Sequence, residues 1–311
     1  MSHPPTLKQL KYLCAVAEHL HFGRAARACY ISQSTLSAGI QELEEHLGVL
    51  LLERNSKRVL LTEVGREAVV RSHQILNAVD DLAALCERSA LPLSGRMRLG
   101  VIPTIAPYLL PRLLQRLRAE HPEFQLFIRE DLSQHLVDAL HQGELDLLLL
   151  AIPFPADGVE SLPLFDDDFV LAYPPQHPLG RIAQLHSRDL RGQDLLLLEE
   201  GHCLRGHALA ACRLNASDLS VPYQATSLNT LVQMVANGIG ITLLPRMALD
   251  TPILAGTGIR TRAFAEDGVR RTIGLMWRRQ AARSEEFRLL GEFIRQHGVT
   301  PTEGRTPLKD S

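Results

Sequence analysis

Two cysteines nine residues apart, Cys203 and Cys212, are the residues of this chain best placed to do chemistry. They lie in the stretch LLLLEEGHCLRGHALAACRLN, residues 195–215, where a strand and a Gly-containing turn put Cys203 near the start of a helix. A helix N-terminus, with Arg205 close by and His202 adjacent, favours thiolate over thiol. A thiolate attacks peroxide to give a sulfenic acid, which a second thiol converts to a disulfide. If the intervening segment is helical, the two Cα atoms stand about 13.5 Å apart on opposite faces. A disulfide needs them within roughly 7 Å. Joining the pair therefore requires the helix to unwind, which is what a redox switch does. The same spacing also fits two inert thiols packed in an Ala- and Leu-rich helix (ALAAC), and spacing alone does not choose between these.

The other cysteines, Cys14, Cys29 and Cys86, are scattered. An odd total without a CxxC pair gives no disulfide framework, zinc site or thioredoxin motif, so no metal and no cofactor are expected. At 311 residues the chain has room for two or more cores, and 45% hydrophobic with 22% charged residues is the composition of a soluble globular protein. The longest apolar run, Leu147 to Ile152, is far short of a membrane span, and Lys8 and Lys11 interrupt any signal-like N-terminus. A cytoplasmic location is the default. The net charge is −2, and residues 1–66 hold eight Lys and Arg against six Glu, so charge alone does not point to nucleic acid.

The elements before the cysteines point there instead. Leu7, Leu10, Cys14, Ala17 and Leu20 recur at helical spacing, and GRAARACY (23–30) makes a short second helix of small residues. Ser32 is placed to cap a third helix whose stripe is Leu36, Ile40, Leu43 and Leu47, and Gly48 ends it. Gln33, Ser34, Thr35 and Ser37 put short hydrogen-bonding side chains on its first turns, as a recognition helix requires. LLLERNSKRVLLTEVG (50–65) then gives two strand-like runs around a basic turn at Arg54, Lys57 and Arg58, a wing whose cations can neutralise phosphates.

The run from His21 to Gly65 resembles the winged helix-turn-helix of LysR-type regulators, in which AA, SQPTLS, I..LE..LG, LFER and LT..G recur in this order. Ser34 stands where that family has proline, so altered local rigidity is expected. The resemblance implies double-stranded DNA as partner and carries over Thr35, Ser37 and Arg54 as contacts, beside Ser32, Gln33 and Ser34, which the start of the third helix places with them.

From Thr62 to about Ala90 the pattern stays helical, and Ala68, Ser72, Ile75, Val79, Leu82 and Cys86 form an a/d seam suited to pairing with a second chain. Pro92 and Gly95 mark a hinge. Beyond it short strands alternate with helices: MRLGVI (97–102), FQLFIRE (124–130) and LLLLAIP belong to one α/β unit. Phe169–Tyr173, Leu195–Leu198, Ile241–Leu244 and the helix Ser227–Ala236 belong to a second. RRTIGLMW (270–277) and a last helix return to the first. The expected architecture is an N-terminal all-α winged helix-turn-helix (1–66), a linker and dimerisation helix (67–93), a two-lobed α/β domain of the periplasmic-binding-protein kind (94–299) and a disordered tail (300–311).

A further resemblance is to the peroxide-sensing members of the LysR family. It rests on IPTIAPYLLP (102–111), GHCLR with its nine-residue gap to Cys212, ATSL.TL..MVA.G.GITLLP (225–245) and RRTIGL. It implies Cys203 as the peroxidatic thiol and Cys212 as the resolving one. Thr104 and Ser133 would hold hydrogen peroxide, Ser133 standing where the family has threonine. His202 and Arg278 would polarise it and stabilise the thiolate. Gly206, where an acidic residue is common, should loosen the switching helix. The resemblance also implies a homodimer or dimer of dimers, contact with RNA polymerase and a cellular thiol reductant. The competing readings are a LysR regulator with a small metabolite in the interlobe cleft, a thiol peroxidase and a solute-binding transport protein. Stoichiometric signalling, not enzymatic turnover, is expected.

Overall fold

The computed structural model describes residues 4–54, 59–87, 93–214 and 223–298, of which 54, 80, 81 and 83–87 by backbone alone. The chain divides into two compact units, Met1–Arg88 with His141–Glu144, and Ser89–Leu140 with Leu145–Ser311.

The first unit opens with α1 (Leu7–His19), started by a capping box in which Thr6 and Gln9 exchange hydrogen bonds. α2 (Phe22–Ala28) and α3 (Gln33–Leu47) follow. Ser32 caps α3 as expected, its hydroxyl accepting from the Thr35 N–H at 3.1 Å, and Gly48 ends it at φ +70°, where glycine carries no Cβ penalty. The core is Leu10, Leu13, Val16, Ala25, Ala26, Leu36, Ile40, Leu43, Leu51 and Leu52. The stripe expected from sequence is thus partly corrected: Leu7, Leu20 and Leu47 are exposed, while Leu13 and Val16 take the interior positions. α1 and α3 approach closely at Gly39, where a Cβ would sit 2.8 Å from the Tyr12 ring.

The wing is the short antiparallel pair β1 (Leu52–Arg54) and β2 (Val59–Leu61), anchored by Glu44, whose Oε1 accepts from the N–H groups of Leu51 and Leu52. Lys57 and Arg58 at its turn, and the Arg54 side chain, lie outside the described residues. α4 (Glu63–Glu87) is the linker helix. Of its expected seam, Ile75, Val79 and Leu82 are exposed and free to meet another surface. Ala68 instead packs against the first unit's core and Ser72 is buried, its hydroxyl turned back to the Ala68 carbonyl. The Cys86 side chain and the 300–311 tail lie outside the described residues.

The second unit is built on one mixed sheet. β3 (Gly95–Val101), β4 (Phe124–Glu130) and β5 (Leu147–Ile152) run parallel, with α5 (Ala106–Glu120) and α6 (Ser133–His141) as crossovers. β6 (Val159–Tyr173) is a 15-residue strand that continues into the second lobe. That lobe holds β7 (Leu195–Leu198), α7 (Cys203–Ala211), β8 (Gln224–Ala225), α8 (Leu228–Ala236), β9 (Ile241–Pro245) and β10 (Arg260–Ala263). β11 (Arg270–Arg278) returns antiparallel between β5 and β6, and α9 (Ser284–His297) covers it. Strand order is β4-β3-β5-β11-β6-β9-β7-β8, with β10 on β6. Two apolar cores lie under it, one for each lobe. Sequence patterning marked only the end of β6, because Pro163 and the acidic run Asp166–Asp168 hide its periodicity. Pro163 is tolerated beside a register shift at Ile273/Gly274, where the ladder is already broken.

Candidate functional site

Three short segments converge on a small pocket of about 160 Å³, its open mouth included. The loop after β3 contributes Ile102, Pro103 and Thr104, the start of α6 contributes Leu132 and Ser133, and the start of α7 contributes His202 and Cys203. Residues some 30 and 100 positions apart in sequence meet because β3 and α6 belong to one lobe while α7 leans across from the other. Cys203 packs against the first lobe's core, whereas Cys212, at the far end of the same helix, is part of the second's.

Four of the expected site residues, Thr104, Ser133, His202 and Cys203, are thereby brought together. Ser133 is 1% exposed, and its Oγ is a buried polar atom with no hydrogen-bond partner among the described residues. An orphaned hydroxyl in a pocket wall costs free energy unless something enters to bond it. Thr104 is also buried. Its Oγ1 accepts from Arg271 Nη1 at 2.8 Å and its carbonyl from Arg271 Nη2 at 2.9 Å. Because Oγ1 is already an acceptor, its own proton is left to donate elsewhere.

Arg271 was not singled out from sequence, although RRTIGL contains it. It is fully buried with Asp167, Nε to Oδ2 at 3.1 Å, and the other Asp167 oxygen accepts from the Met247 N–H. This pair joins β11 and β6 where both strands pass from lobe to lobe. Arg278 lies elsewhere: Nη1 donates to the carbonyls of Leu140 and Leu145, at 2.8 and 2.9 Å, and it does not line the pocket. The cation behind Thr104 is Arg271.

Burial lowers the pKa of His202, with Glu199 opposing it, which favours the neutral imidazole. His207, one turn further along α7, is also pushed down by burial and then by the Arg271 charge, against a hydrogen bond to the Ala151 carbonyl. Arg205 sits beside Glu200 at 3.7 Å. Cys203 is the first residue of α7, and the cap residue His202 makes no side-chain hydrogen bond there.

The two thiols differ sharply. Cys203 is partly accessible and Cys212 is buried. Burial, helped by the Glu266 charge, pushes Cys212 up from 9.0 to about 12. The folded protein therefore keeps a proton that the unfolded chain loses above pH 9, so stability falls as pH rises from about 9 to 12. Its share of the slope is about 1.4 kcal/mol per pH unit. Urea titrations across this range should show that loss; because burial pushes Cys14 up to about 12 as well, Cys212→Ala should lessen the slope by about 1.4 kcal/mol per pH unit rather than abolish it. An unchanged slope in the variant would refute the assignment.

α7 is helical from Cys203 to Ala211 with Cys212 as its C-cap, so the pair stands about 13.5 Å apart along the axis. Leu204 and Ala208 fix it in the second core. Gly206 faces open space, and a Cβ there would meet nothing within 4 Å.

Comparison with known proteins adds to this geometry. Residues 7–66 match the bacterial regulatory helix-turn-helix of the lysR family, and residues 91–299 match the LysR substrate binding domain. The chain belongs to the LysR family. The "DNA-binding transcriptional dual regulator OxyR" of Escherichia coli K12 is 38% identical over 289 residues, covering 93% of this chain and 94% of that protein. A full-length OxyR variant from Pseudomonas aeruginosa superposes with a TM-score of 0.77 at 36% identity, covering 97% of this chain and 99% of that one. An H2O2-bound mutant of Corynebacterium glutamicum OxyR gives 0.65 at 34% identity, covering 95% and 93%. This LysR-family chain is thus a DNA-binding transcription regulator with the OxyR arrangement of helix-turn-helix and two-lobed domain.

Proposed function

We propose that this regulator senses hydrogen peroxide at Cys203 and stores the signal as a Cys203–Cys212 disulfide. The observation that carries the reading is the pocket itself: an accessible thiol at a helix N-terminus faces a free Thr104 proton and the unpartnered Ser133 hydroxyl. The pocket is too small for a metabolite, whose sites run from roughly 300 Å³ upward. The relatives' names, and the H2O2-bound relative, agree with it.

The Cys203 thiolate attacks one peroxide oxygen. The O–O bond breaks, Cys203 becomes a sulfenic acid and the other oxygen leaves as water after taking a proton. Thr104 and Ser133 hold the peroxide and His202 hydrogen-bonds to it. Cys212 then attacks the sulfenic sulfur, water departs and the disulfide forms. Closing about 13.5 Å to under 7 Å unwinds α7 and draws Leu204 and Ala208 out of the second core, and this remodelling reaches DNA through a dimer or dimer of dimers. RNA polymerase contact, reduction by a cellular thiol and a cytoplasmic location complete the reading. Peroxide is consumed stoichiometrically, so the protein is a regulator and not an enzyme.

The test uses reduced protein and one equivalent of hydrogen peroxide. Cys212→Ser should accumulate a sulfenic acid at Cys203 that dimedone labels, and Cys203→Ser should label nowhere. Labelling spread equally over the remaining cysteines would sink the assignment. Gly206→Ala strengthens the helix by up to about 1 kcal/mol. It should slow disulfide closure by up to about fivefold while leaving sulfenic acid formation unchanged, and equal closure rates would contradict unwinding as the controlling step.

A further inference from the structure

We infer that Tyr30 is a DNA-contacting residue, its phenol hydroxyl donating to a backbone phosphate at the wall of the groove that α3 enters. Two independent features of the turn between α2 and α3 lead there. Tyr30 has φ +57°, the left-handed conformation that disfavours any residue with a Cβ and for which helix-turn-helix turns often use glycine. The turn enforces it: the Tyr30 N–H bonds the Arg27 carbonyl at 3.1 Å and the Ile31 N–H bonds the Ala26 carbonyl at 3.0 Å. Yet the side chain returns nothing to the fold, being 95% exposed with no hydrogen bond to its hydroxyl among the described residues. A strained backbone carrying a large, unused side chain points to a use outside the chain.

Position identifies that use. Tyr30 stands two residues before Ser32, the cap of α3, and the N-terminal residues of a recognition helix are the ones that approach base edges. Ser32, Ser34 and Thr35 already bond one another there, with Ser32 Oγ 2.8 Å from Ser34 Oγ and 2.7 Å from Thr35 Oγ1. A side chain ahead of the cap meets the groove wall, where phosphate oxygens accept from Tyr as from Arg and Lys. A neutral donor there adds affinity without displacing a counterion.

The inference rests on the helix-turn-helix reading, and the experiment separates the two. Full-length reduced protein is used to select a duplex from a random-sequence pool, and its binding is compared with that of an unselected duplex of equal length. Tyr30→Phe should raise Kd about threefold to tenfold on both duplexes, with the same dependence on salt. Tyr30→Gly should weaken binding at least as much while its thermal midpoint stays at or above the parent's, which excludes unfolding as the cause. Both variants binding within twofold of the parent would overturn the assignment, and so would a loss confined to the selected duplex, which would place the contact on a base. A parent that selects no duplex would overturn the helix-turn-helix reading as well.

Discussion

Arg271→Met is expected to lower the stability of the two-lobed domain by about 3–5 kcal/mol, because it removes the cation that pairs with the buried Asp167 carboxylate. Both side chains are wholly inaccessible. Thr104 loses two donors at the same time. For a domain of this size the change corresponds to a drop in thermal midpoint of roughly 6–20 °C. Replacing the pair together, Arg271→Met with Asp167→Leu, should restore much of the loss, since apolar residues of similar volume often match a buried ion pair. Urea unfolding of the reduced protein measures both. A single variant within 1 kcal/mol of the parent would mean that the pair does not clamp β6 to β11.

The second large effect is on reactivity. Thr104→Val keeps the side chain's shape but removes the hydroxyl that Arg271 orients. If that hydroxyl donates to the oxygen on which charge develops, its loss costs about 1.5–3 kcal/mol of transition-state stabilisation. The oxidation rate constant of Cys203 should then fall roughly 10- to 150-fold. Because the variant also leaves a buried Arg271 N–H unbonded, the rate must be measured where the domain remains folded. Stopped-flow oxidation with Cys212→Ser as background isolates the first step. A rate within threefold of the parent would remove Thr104 from the peroxide site.

Much of this arrangement was legible in the sequence, and the parts that were not share a cause. Ser32, Gly48 and the start of α7 at Cys203 were readable because caps and helix starts are local events. Thr104 and Ser133 followed from resemblance, and the pocket now has them facing Cys203. Arg271 was hidden because its partner is 104 residues away, and an arginine in an alternating strand reads as solvent-facing. The resemblance points instead to Arg278, seven residues on, whose guanidinium donates to the carbonyls of Leu140 and Leu145. In α1 the apolar residues offer two helical phases. Of the phase running from Leu7 to Leu20, Leu10 and Cys14 are buried, but Leu13 and Val16 of the other phase also meet the core, while Leu20 lies in the left-handed C-cap and is exposed. On α4 the seam was read as uniform, although a helix that serves two surfaces divides its stripe between them: Ala68 faces its own chain while Ile75, Val79 and Leu82 do not.

The most direct measurement is peptide mapping, without reductant, of fully reduced protein exposed to one equivalent of hydrogen peroxide. The expected result is a Cys203–Cys212 linked peptide formed within seconds, absent in Cys203→Ser, with α7 amides exchanging faster once it forms. Both thiols still open to alkylation in the unfolded product after minutes of exposure would contradict the account, leaving a LysR-family regulator whose signal enters elsewhere.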